Sequence, residues 1–367
     1  MTPICRVLFD DQIFRKQSIG GISNYFLMLM KQFQNVPNLK IQTASFLYKT
    51  KNLSDFNTGA KIRYQKRSIA PIAIVLNIIK TLFSNYDLIH STYYSRWSVA
   101  LISRRPHIVT IHDMIPEDYP ELFLSGNPNR YKERYIKSAD GIIVVSSYTF
   151  ERLIRFYPEI SSPIALIPLA SNYVLEDASK VDHRSKFDSR LILFVGPRGG
   201  HKNFQALAYS LSQVIVYFPD ISLLCIGGGE FRDSETQLFD ELGISPNVKQ
   251  RDCNDDELRD LYMRSSLLVC PSIAEGFGLP SVEAASLFTP VIVGQNSYLG
   301  KKLPAGLVLS DINDYLDLAR KIIRTLESYE YFITVAEFSH ASVQDLSWRD
   351  TSDKTQAFYQ QILAKSE

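Results

Sequence analysis

The sequence predicts an α/β protein built from two doubly wound domains, and three features support this. Apolar stretches typical of buried strands alternate with amphipathic helical patterns along both halves of the chain. A polar stretch without clear periodicity, residues 170–190, separates the halves. The length of 367 residues also suggests two domains. We expect an N-terminal domain over 1–180, a C-terminal domain over 181–345 and a closing helix over 346–367.

The first half contains seven candidate strands separated by helical patterns. The strands are CRVLFD, KIQTASFLY, KIRYQK, YDLIHST, HIVTIHD, GIIVVSS and IALIPLA, and the helical patterns include GISNYFLMLMKQF and YTFERLIRFY. Short apolar strands that alternate with helices favour a parallel sheet covered on both faces. The first residues, MTPICRVLFDDQ, are typical of a strand and not of a secretory signal.

The second half repeats this pattern. Its strands are RLILFVG, ISLLCIGGG, NVKQRD, SLLVCPS, TPVIVG and GLVLS, and its helices are NFQALAYSLSQVIVYF, DDELRDLYMR and a helix over about residues 280–288. The segment WRDTSDKTQAFYQQILAKSE is predicted to form the closing helix. Ligands of doubly wound domains bind at the carboxyl ends of the strands. The polar stretches that follow candidate strands are therefore the candidate sites.

Composition argues against several classes of protein. Forty Lys and Arg against 39 Asp and Glu give a formal net charge of +1, which argues against a protein that coats nucleic acid. The four cysteines form no CxxC pair and are expected to be buried hydrophobes in a reducing compartment. No DxD, HExxH or Cys/His cluster predicts a metal site, and no cofactor is expected. The longest apolar run, residues 69–83, is too short to span a bilayer. We expect a cytoplasmic protein.

Residues 61–83 join a basic cluster to an apolar stripe. The basic residues are Lys61, Arg63, Lys66 and Arg67, and the apolar residues at helical spacing are Ile72, Val75, Leu76, Ile79, Leu82 and Phe83. One interpretation is a helix buried against the sheet, with the basic residues merely solvated. The other is a surface for peripheral contact with an anionic membrane, to which each basic residue would contribute about 1 kcal/mol. The sequence leaves both open.

The stretch PSIAEGFGLPSVEAASLFTPVIV places two carboxylates, Glu275 and Glu283, on either side of a glycine turn at a helix start. Gly276 and Gly278 allow unusual backbone angles and close approach of a ligand. Free amides at a helix start attract anions. The arrangement suits a ligand that carries both phosphate, for the amides, and hydroxyls, for the carboxylates.

Three further stretches are candidates with an ordinary structural alternative. In PRGGHKN, Arg198 and Lys202 suit a diphosphate, although a solvated turn has the same composition. In GGISNY, two glycines open a helix and either contact a phosphate or form a plain turn. His112 ends a strand, where a histidine is either structural or functional.

These motifs resemble the retaining glycosyltransferases of the GT-B fold with an E-x7-E signature (glycosyltransferase family 4, glycosyl transferases group 1). EGFGLPSVEAA resembles the signature, and FVGPRGGHKN resembles the Arg/Lys diphosphate clamp. The stretches GGISNY, VTIHDMIPEDYPELF, DGIIVVSSYTFERL, PVIVGQNSYL and LSWRDTSDKTQAFY resemble further segments, in order along nearly the whole chain. The chain departs from the family at Pro197, where many relatives have Arg, and at Gly300 and Lys301, where relatives often have Pro and Glu.

The resemblance implies two Rossmann-like domains facing a central cleft, with the closing helix crossing back to the N-terminal domain. It implies that Glu275 contacts hydroxyls of the donor sugar and that Glu283 contacts the ribose. Arg198 and Lys202 would hold the diphosphate, and His112 would contact the donor sugar or guide the acceptor. The other residues assigned to the nucleotide sugar are Gly21, Gly196, Gly276, Phe277, Gly278, Leu279 and Ser297.

The function that this resemblance implies is a metal-independent, retaining hexosyltransferase. It would move a sugar from a nucleotide-diphosphate sugar to a glycan or polyprenyl-diphosphate-linked acceptor in bacterial O-antigen, capsule or exopolysaccharide synthesis. PRGGHKN is similar to bacterial mannosyltransferases, so GDP-mannose is the first donor to test. The alternatives are a nucleotide-sugar epimerase of the same architecture and a nucleotide-sugar-binding protein without turnover. The absence of GxGxxG and GxSxG disfavours a nicotinamide oxidoreductase and a serine hydrolase.

Overall fold

The computed structural model describes residues 5–18, 20–34, 36–45, 47–51, 53–56, 62–63, 70–96, 98–123, 126–175, 179 and 181–365. The chain forms two compact units, one of residues 1–169 together with 347–367 and the other of residues 170–346. Each unit contains a six-stranded parallel sheet with helices between the strands. The predicted α/β fold of two doubly wound domains is therefore confirmed.

Within its described residues, the first unit contains eight strands. They are β1 (Cys5–Phe9), β2 (Leu39–Thr43), β3 (Leu47–Tyr48), β4 (Ile62–Arg63), β5 (Leu88–Ser91), β6 (His107–Ile111), β7 (Gly141–Val144) and β8 (Ile164–Leu166). Its helices are α1 (Gln12–Lys16), α2 (Gly21–Phe33), α3 (Ala70–Leu82), α4 (Ile115–Asp118), α5 (Lys132–Ser138) and α6 (Ser147–Phe156), with 3₁₀ turns at Leu53–Asp55, Val99–Leu101 and Pro120–Leu122. The stretch KIQTASFLY, predicted as one strand, forms β2 and β3 instead.

The six-stranded sheet of this unit has the order β2-β1-β5-β6-β7-β8, and all its pairs are parallel. Every residue of β6 and β7 is buried, as expected for strands covered on both faces. In this sheet β2 lies on one side of β1, and β5 to β8 follow one another on the other side. The carboxyl ends of β1 and β5 therefore flank the switch point of the sheet, where ligands bind in such folds.

The last helix, α14 (Trp348–Ala364), belongs to the first unit although it ends the chain. Its N-cap Ser347 accepts a hydrogen bond from the amide of Asp350, which fixes the helix start. The helix packs against α2, and the Tyr359 hydroxyl lies 2.7 Å from Nδ1 of His90 on β5. His90 is fully buried, so it serves here as a structural anchor for α14.

The second unit contains β9 (Leu191–Val195), β10 (Ser222–Ile226), β11 (Val248–Arg251), β12 (Leu267–Cys270), β13 (Val291–Gly294) and β14 (Val308–Leu309). Its helices are α7 (His183–Asp188), α8 (Phe204–Val214), α9 (Asp233–Glu241), α10 (Asp255–Arg264), α11 (Leu279–Ser286), α12 (Tyr315–Glu327) and α13 (Tyr329–Ala341). Short 3₁₀ turns lie at Gly200–Lys202, Ser245–Asn247, Leu299–Lys301 and Ala305–Leu307. The parallel sheet has the order β11-β10-β9-β12-β13-β14, so its switch point lies between β9 and β12.

Two sequence expectations for this unit need correction. The stretch 170–190, expected to link the two domains, belongs to the second unit and contains α7, whose Lys186 is buried. The helix expected over residues 280–288 is shorter, because α11 ends at Ser286 and Phe288 adopts a left-handed conformation with φ of 54°. Helix α10, by contrast, begins where DDELRDLYMR begins, since Asn254 and Glu257 form a capping box.

Candidate active site

The candidate site of the second unit is built by the two loops that flank its switch point. The loop after β9 covers residues 196–203 and the loop after β12 covers residues 271–278. The amide of Ile273 donates to the carbonyl of His201 over 2.8 Å, which joins the two loops. The amide of Glu275 donates to the carbonyl of Asn296 over 2.8 Å, which adds the loop after β13. Three neighbouring strand ends therefore hold one another in register.

Lys202 and Glu275, which are 73 residues apart in the chain, form an ion pair at this point. Lys202 Nζ lies 2.6 Å from Glu275 Oε1, and the Ser272 hydroxyl donates to the same oxygen over 2.7 Å. Only 15% of the Lys202 side chain and 13% of the Glu275 side chain are exposed. Glu275 is therefore largely buried, although it lies in a loop.

The surroundings of Glu275 act on its pKa in opposite directions. Burial raises the pKa of the carboxyl, while the charge and hydrogen bond of Lys202, the Ser272 hydroxyl and the charge of His201 lower it. The lowering contributions are larger together, so the pKa of Glu275 lies below its ordinary value of 4.5. Glu275 is thus an ionised carboxylate that is held ready to accept hydrogen bonds.

Two of the predicted glycines lie beside this ion pair. A Cβ at Gly196 would lie 3.9 Å from Lys202 Cε, and a Cβ at Gly278 would lie 3.8 Å from Glu275 Cβ. Gly278 is also the N-cap of α11 and has a φ of 90°, which strains any residue with a side chain. The structure therefore brings Gly196, Lys202, Glu275 and Gly278 together at the start of α11.

The neighbouring residues of the glycine turn have packing roles. Phe277 is 4% exposed, and its ring lies 4.6 Å from that of Tyr298. Gly276 is buried, and Leu279 is the first residue of α11. Backbone amides, and not the Phe277 side chain, are what this turn offers a ligand.

Glu283, the second carboxylate of the motif, is buried on α11 with 8% of its surface exposed. The Tyr262 hydroxyl lies 3.4 Å from its Oε2. Burial raises the pKa of Glu283 to about 8, with a hydrogen bond from Tyr262 lowering it and the Asp255 charge raising it. Glu283 is therefore protonated at neutral pH, unlike Glu275.

The guanidinium of Arg198 forms hydrogen bonds with other groups of the protein in this structure. It donates to both oxygens of Glu235, over 3.0 and 3.3 Å, and to the carbonyls of Gly227, Gly229 and Glu230 over 2.8 to 3.0 Å. Only 3% of the side chain is exposed. Arg198 thus braces the glycine turn after β10, and its assignment to a diphosphate stays a prediction.

Ser297 and Gly300 form the turn after β13. The Ser297 hydroxyl donates to the carbonyl of Gly294 over 2.8 Å and accepts from the amide of Gly300 over 3.0 Å. A Cβ at Gly300 would lie 2.4 Å from the carbonyl oxygen of Gly294, which explains why this chain carries glycine there. The Ser297 hydroxyl is engaged in this turn, and its contact with phosphate stays a prediction.

The predicted residues of the first unit lie at the carboxyl edge of that sheet. His112 follows β6, is 8% exposed and has no hydrogen-bond partner for Nε2 within the described part of the chain. Burial lowers the pKa of His112 to about 4, against a raising contribution from the Asp113 charge. His112 is therefore neutral at neutral pH. Gly21 is the first residue of α2 and is exposed.

Three residues around the site carried no signal in the sequence. Ser272 holds Glu275, and Glu235 on α9 holds Arg198. Lys186 on α7 donates to the carbonyls of Tyr262 and Leu287 over 3.0 and 2.9 Å, at the ends of α10 and α11. Ser272 and Glu275 are three positions apart in the chain, whereas the Arg198–Glu235 contact and the two Lys186 contacts join residues 37, 76 and 101 positions apart. Local sequence spacing does not predict contacts over such intervals.

No group of three or more His, Cys, Asp or Glu residues within the described ranges is placed to hold a metal ion. No described helix combines the length and the apolarity needed to cross a bilayer.

Comparison with known proteins gives consistent matches over both units. The family model "Glycosyltransferase Family 4" matches residues 19–170, and "Glycosyl transferases group 1" matches residues 176–337. The D-inositol 3-phosphate glycosyltransferase of Mycolicibacterium smegmatis is 25% identical over 304 residues, 76% of this chain and 68% of that protein. The O-antigen chain mannosyltransferase RfbU of Salmonella typhimurium is 26% identical over 236 residues, 63% of each protein.

Solved structures have the same fold. Sucrose-phosphate synthase from Thermosynechococcus elongatus matches with a TM-score of 0.78 and 20% identity over 98% of this chain and 100% of that chain. Anabaena Alr3699/HepE, solved in complex with UDP and glucose, matches with a TM-score of 0.70 and 18% identity over 96% of this chain and 99% of that chain.

Proposed function

The chain belongs to the glycosyltransferases, with a family 4 domain followed by a group 1 domain, and we propose that it uses a nucleotide-diphosphate sugar as its donor. The observation that carries this proposal is the Lys202–Glu275 pair beside the start of α11. A cation, an ionised carboxylate and the backbone amides of a helix start meet there at the switch point of a doubly wound sheet. These groups suit the diphosphate and the hydroxyls of one ligand.

The ion pair has a defined part in donor binding. The donor diphosphate draws Lys202 away from Glu275, because two phosphate charges outweigh one carboxylate. Glu275, still held by Ser272, then accepts hydrogen bonds from hydroxyls of the donor sugar. Glu283 contacts the ribose hydroxyls from α11. Arg198 supports the glycine turn beside the diphosphate through its present contacts with Glu235.

The transfer step follows from the charge of the leaving group. The bond between the anomeric carbon and the diphosphate oxygen breaks while the acceptor hydroxyl forms a new bond to the same carbon and on the same face. Because the new bond forms on the face that the diphosphate leaves, the anomeric configuration is retained. A phosphate oxygen takes the hydroxyl proton. Lys202 and the amides at the start of α11 stabilise the charge that grows on the diphosphate. These groups supply the stabilisation without a divalent cation.

The donor and the acceptor are proposed from the relatives. RfbU is named as an O-antigen chain mannosyltransferase, so GDP-mannose is the first donor to test, with UDP-sugars next because HepE binds UDP and glucose. The acceptor we propose is a glycan or a polyprenyl-diphosphate-linked glycan of a bacterial surface polysaccharide. The neutral His112 of the first unit would contact the donor sugar or guide that acceptor.

A lipid-linked acceptor would be reached from the inner face of the plasma membrane, and α3 supports such contact. Leu76 of the apolar stripe is half-buried and packs against Leu47 and Ala73. The other five residues of the stripe are 45% to 87% exposed, so the interpretation that the stripe is buried is wrong for them; they are Ile72, Val75, Ile79, Leu82 and Phe83. Residues 61–83 contain five basic residues and no acidic one, which complements an anionic membrane. Lys61, Lys66 and Arg67 of this segment lie outside the described residues.

A thermal-shift series tests the proposed donor class. GDP-, UDP-, dTDP- and ADP-sugars are added to the full chain in buffer with EDTA, and one of them should raise Tm because a ligand of the folded state stabilises it. Transfer to acceptor should follow with that donor. Isomerisation of the donor without an acceptor would identify an epimerase, and binding without any turnover would identify a binding protein. No shift with any nucleotide sugar would contradict the proposal.

A further inference from the structure

A pocket lies in the first unit beside His112, whose backbone amide donates to the hydroxyl of the lining residue Tyr94 over 3.3 Å. It has a volume of about 450 Å³, which is within the range of small-ligand sites. Its walls come from Lys16 at the end of α1, Tyr93 and Arg96 after β5, and Arg130 and Tyr131 before α5. The first two of these segments follow β1 and β5, so the pocket lies at the switch point of this sheet.

The charges of the pocket have one sign. Lys16, Arg96 and Arg130 line it, and no Asp or Glu is among its described lining residues. A neighbouring carboxylate, Asp113, lies 3.7 Å from the buried Nζ of Lys132. Burial lowers the pKa of Lys16, a shift that an anion in the pocket would reverse. Three cations around one cavity favour an anionic ligand.

The aromatic walls of the pocket are held in place by hydrogen bonds. Lys16 Nζ lies 3.8 Å above the Tyr93 ring, and the Tyr93 hydroxyl donates to Asn129 Oδ1 over 2.6 Å. Arg134 on α5 donates to the carbonyl of Arg96 over 3.2 Å. These bonds connect the segment after β5 to the segment before α5 and to α5 itself. The pocket is therefore formed before a ligand arrives, which lowers the entropy cost of binding.

We propose that this pocket binds the phosphate group of the acceptor, and that the acceptor substrates of this enzyme are phosphorylated. The inference rests on the proposed function and adds the class of acceptor to it. Arg96 and Arg130 offer planar forks for phosphate oxygens, and Lys16 adds a point charge. Lys16 lies 3.8 Å above the Tyr93 ring and the Arg130 guanidinium lies 4.9 Å above the Tyr131 ring, so the two tyrosines hold these cations at the pocket wall. A neutral glycan would bring no negative charge to these three cations.

Inorganic pyrophosphate provides the first test, by titration calorimetry on the full chain. The chain should carry Lys202→Met and Glu275→Gln, so that the donor site no longer contributes. Pyrophosphate should bind this protein, and adding Arg96→Met and Arg130→Met should weaken binding at least tenfold, since hydrogen bonds to charged groups are lost. Arg104→Met with Arg105→Met is the matched control, because both arginines are exposed and precede β6 at the amino edge of the sheet. It should change the affinity less than twofold.

The source of the phosphate is tested with three probes that share one sugar. They are methyl N-acetylglucosaminide, N-acetylglucosamine 1-phosphate and farnesyl-diphosphate-linked N-acetylglucosamine, each competing with pyrophosphate. Both phosphorylated probes should compete at least tenfold better than the methyl glycoside. If the farnesyl probe competes better than N-acetylglucosamine 1-phosphate, the acceptor is lipid-linked. If these two phosphorylated probes compete equally well, the acceptor is soluble.

Several results would overturn the inference. One is that pyrophosphate does not bind, and another is that its affinity is unchanged by Arg96→Met and Arg130→Met. A third is that the control pair, Arg104→Met with Arg105→Met, weakens pyrophosphate binding as much. The last is that the methyl glycoside competes with pyrophosphate as well as the phosphorylated probes do. The donor thermal shift of the Arg96→Met and Arg130→Met protein should equal that of wild type. If no nucleotide sugar binds but pyrophosphate binding still depends on these arginines, the proposed function fails and the anion pocket stands.

Discussion

Replacement of Lys202 by Met should separate the stability role of the Lys202–Glu275 pair from its role in transfer. The two side chains are 15% and 13% exposed and 2.6 Å apart. Removing one member of a buried pair costs about 3–5 kcal/mol, because a buried charge is left without its partner. We expect about 3 kcal/mol for Lys202→Met, since the Ser272 hydroxyl remains bonded to Glu275. That loss should lower the Tm of the second unit by about 6–12 °C.

The double variant Lys202→Met with Glu275→Gln should regain most of this stability. The introduced amide would keep the hydrogen bond from Ser272 and would carry no charge to bury. Transfer activity should stay low in both proteins, because each lacks a group that holds the donor. Lys249→Met on β11 is the control, as Lys249 is exposed, and it should change the free energy of unfolding by less than about 0.5 kcal/mol.

The pH dependence of unfolding gives the same pair a second test. In the wild type the pKa of Glu275 lies below its unfolded value, so its stabilising effect is present above pH 4.5 and is lost as pH falls. In Lys202→Met the effect of burial dominates and raises the pKa of Glu275 above its unfolded value. The free energy of unfolding of this variant should therefore fall as pH rises from about 4.5. Urea unfolding should show a stability difference between wild type and Lys202→Met that widens from pH 4 to pH 7. A difference that stays constant, or a double variant as unstable as the single one, would refute this reasoning.

Three further predictions concern other parts of the molecule. Burial lowers the pKa of Lys186 to about 7 from 10.5, so the unfolded state binds more protons between these values. Urea unfolding should show a rise of about 3 kcal/mol in stability from pH 7 to pH 9.5 that Lys186→Met abolishes, and an equal rise in both proteins would contradict it. The pKa of Glu283 is raised to about 8, so its carboxyl is protonated at pH 7. If the nucleotide binds the ionised carboxylate, binding at pH 7 should release about one proton. Calorimetric enthalpies should then differ between HEPES and Tris for wild type but not for Glu283→Gln; identical wild-type enthalpies would rule this out. Leu82→Ser with Phe83→Ser should reduce co-sedimentation with phosphatidylglycerol vesicles without loss of stability, because these side chains are 63% and 87% exposed, and unchanged co-sedimentation would remove α3 from the membrane proposal.

The parts of the fold that the sequence predicted well are those with local signals. GISNYFLMLMKQF forms α2 with the predicted limits, and DDELRDLYMR forms α10, because glycine, Asn254 and Glu257 mark the starts. The parallel arrangement of the two sheets also follows from the alternation of short apolar strands with helices. The position of the site at the strand ends after β9 and β12 could therefore be predicted.

The sequence reasoning missed α12 and α13, each of 13 residues. Leu318, Ala319, Ile322 and Leu326 of α12 are buried and spaced as one helical face, so the signal was present. The roles of Arg198 and Glu283 are a different case. Tertiary neighbours decide them: Glu235, 37 residues along the chain, binds the guanidinium, and the packing of α11 buries the carboxyl. Such neighbours cannot be predicted from the local sequence around Arg198 or Glu283.

Binding of the nucleoside diphosphate of the selected donor tests the central claim most directly. Titration calorimetry in EDTA compares wild type, the Lys202→Met and Glu275→Gln double variant, and Lys249→Met. Wild type and Lys249→Met should bind equally, and the double variant should bind at least tenfold more weakly, since the charge that holds the diphosphate is gone. Equal affinity in all three proteins would show that the diphosphate does not bind at Lys202, and would contradict the account of this site.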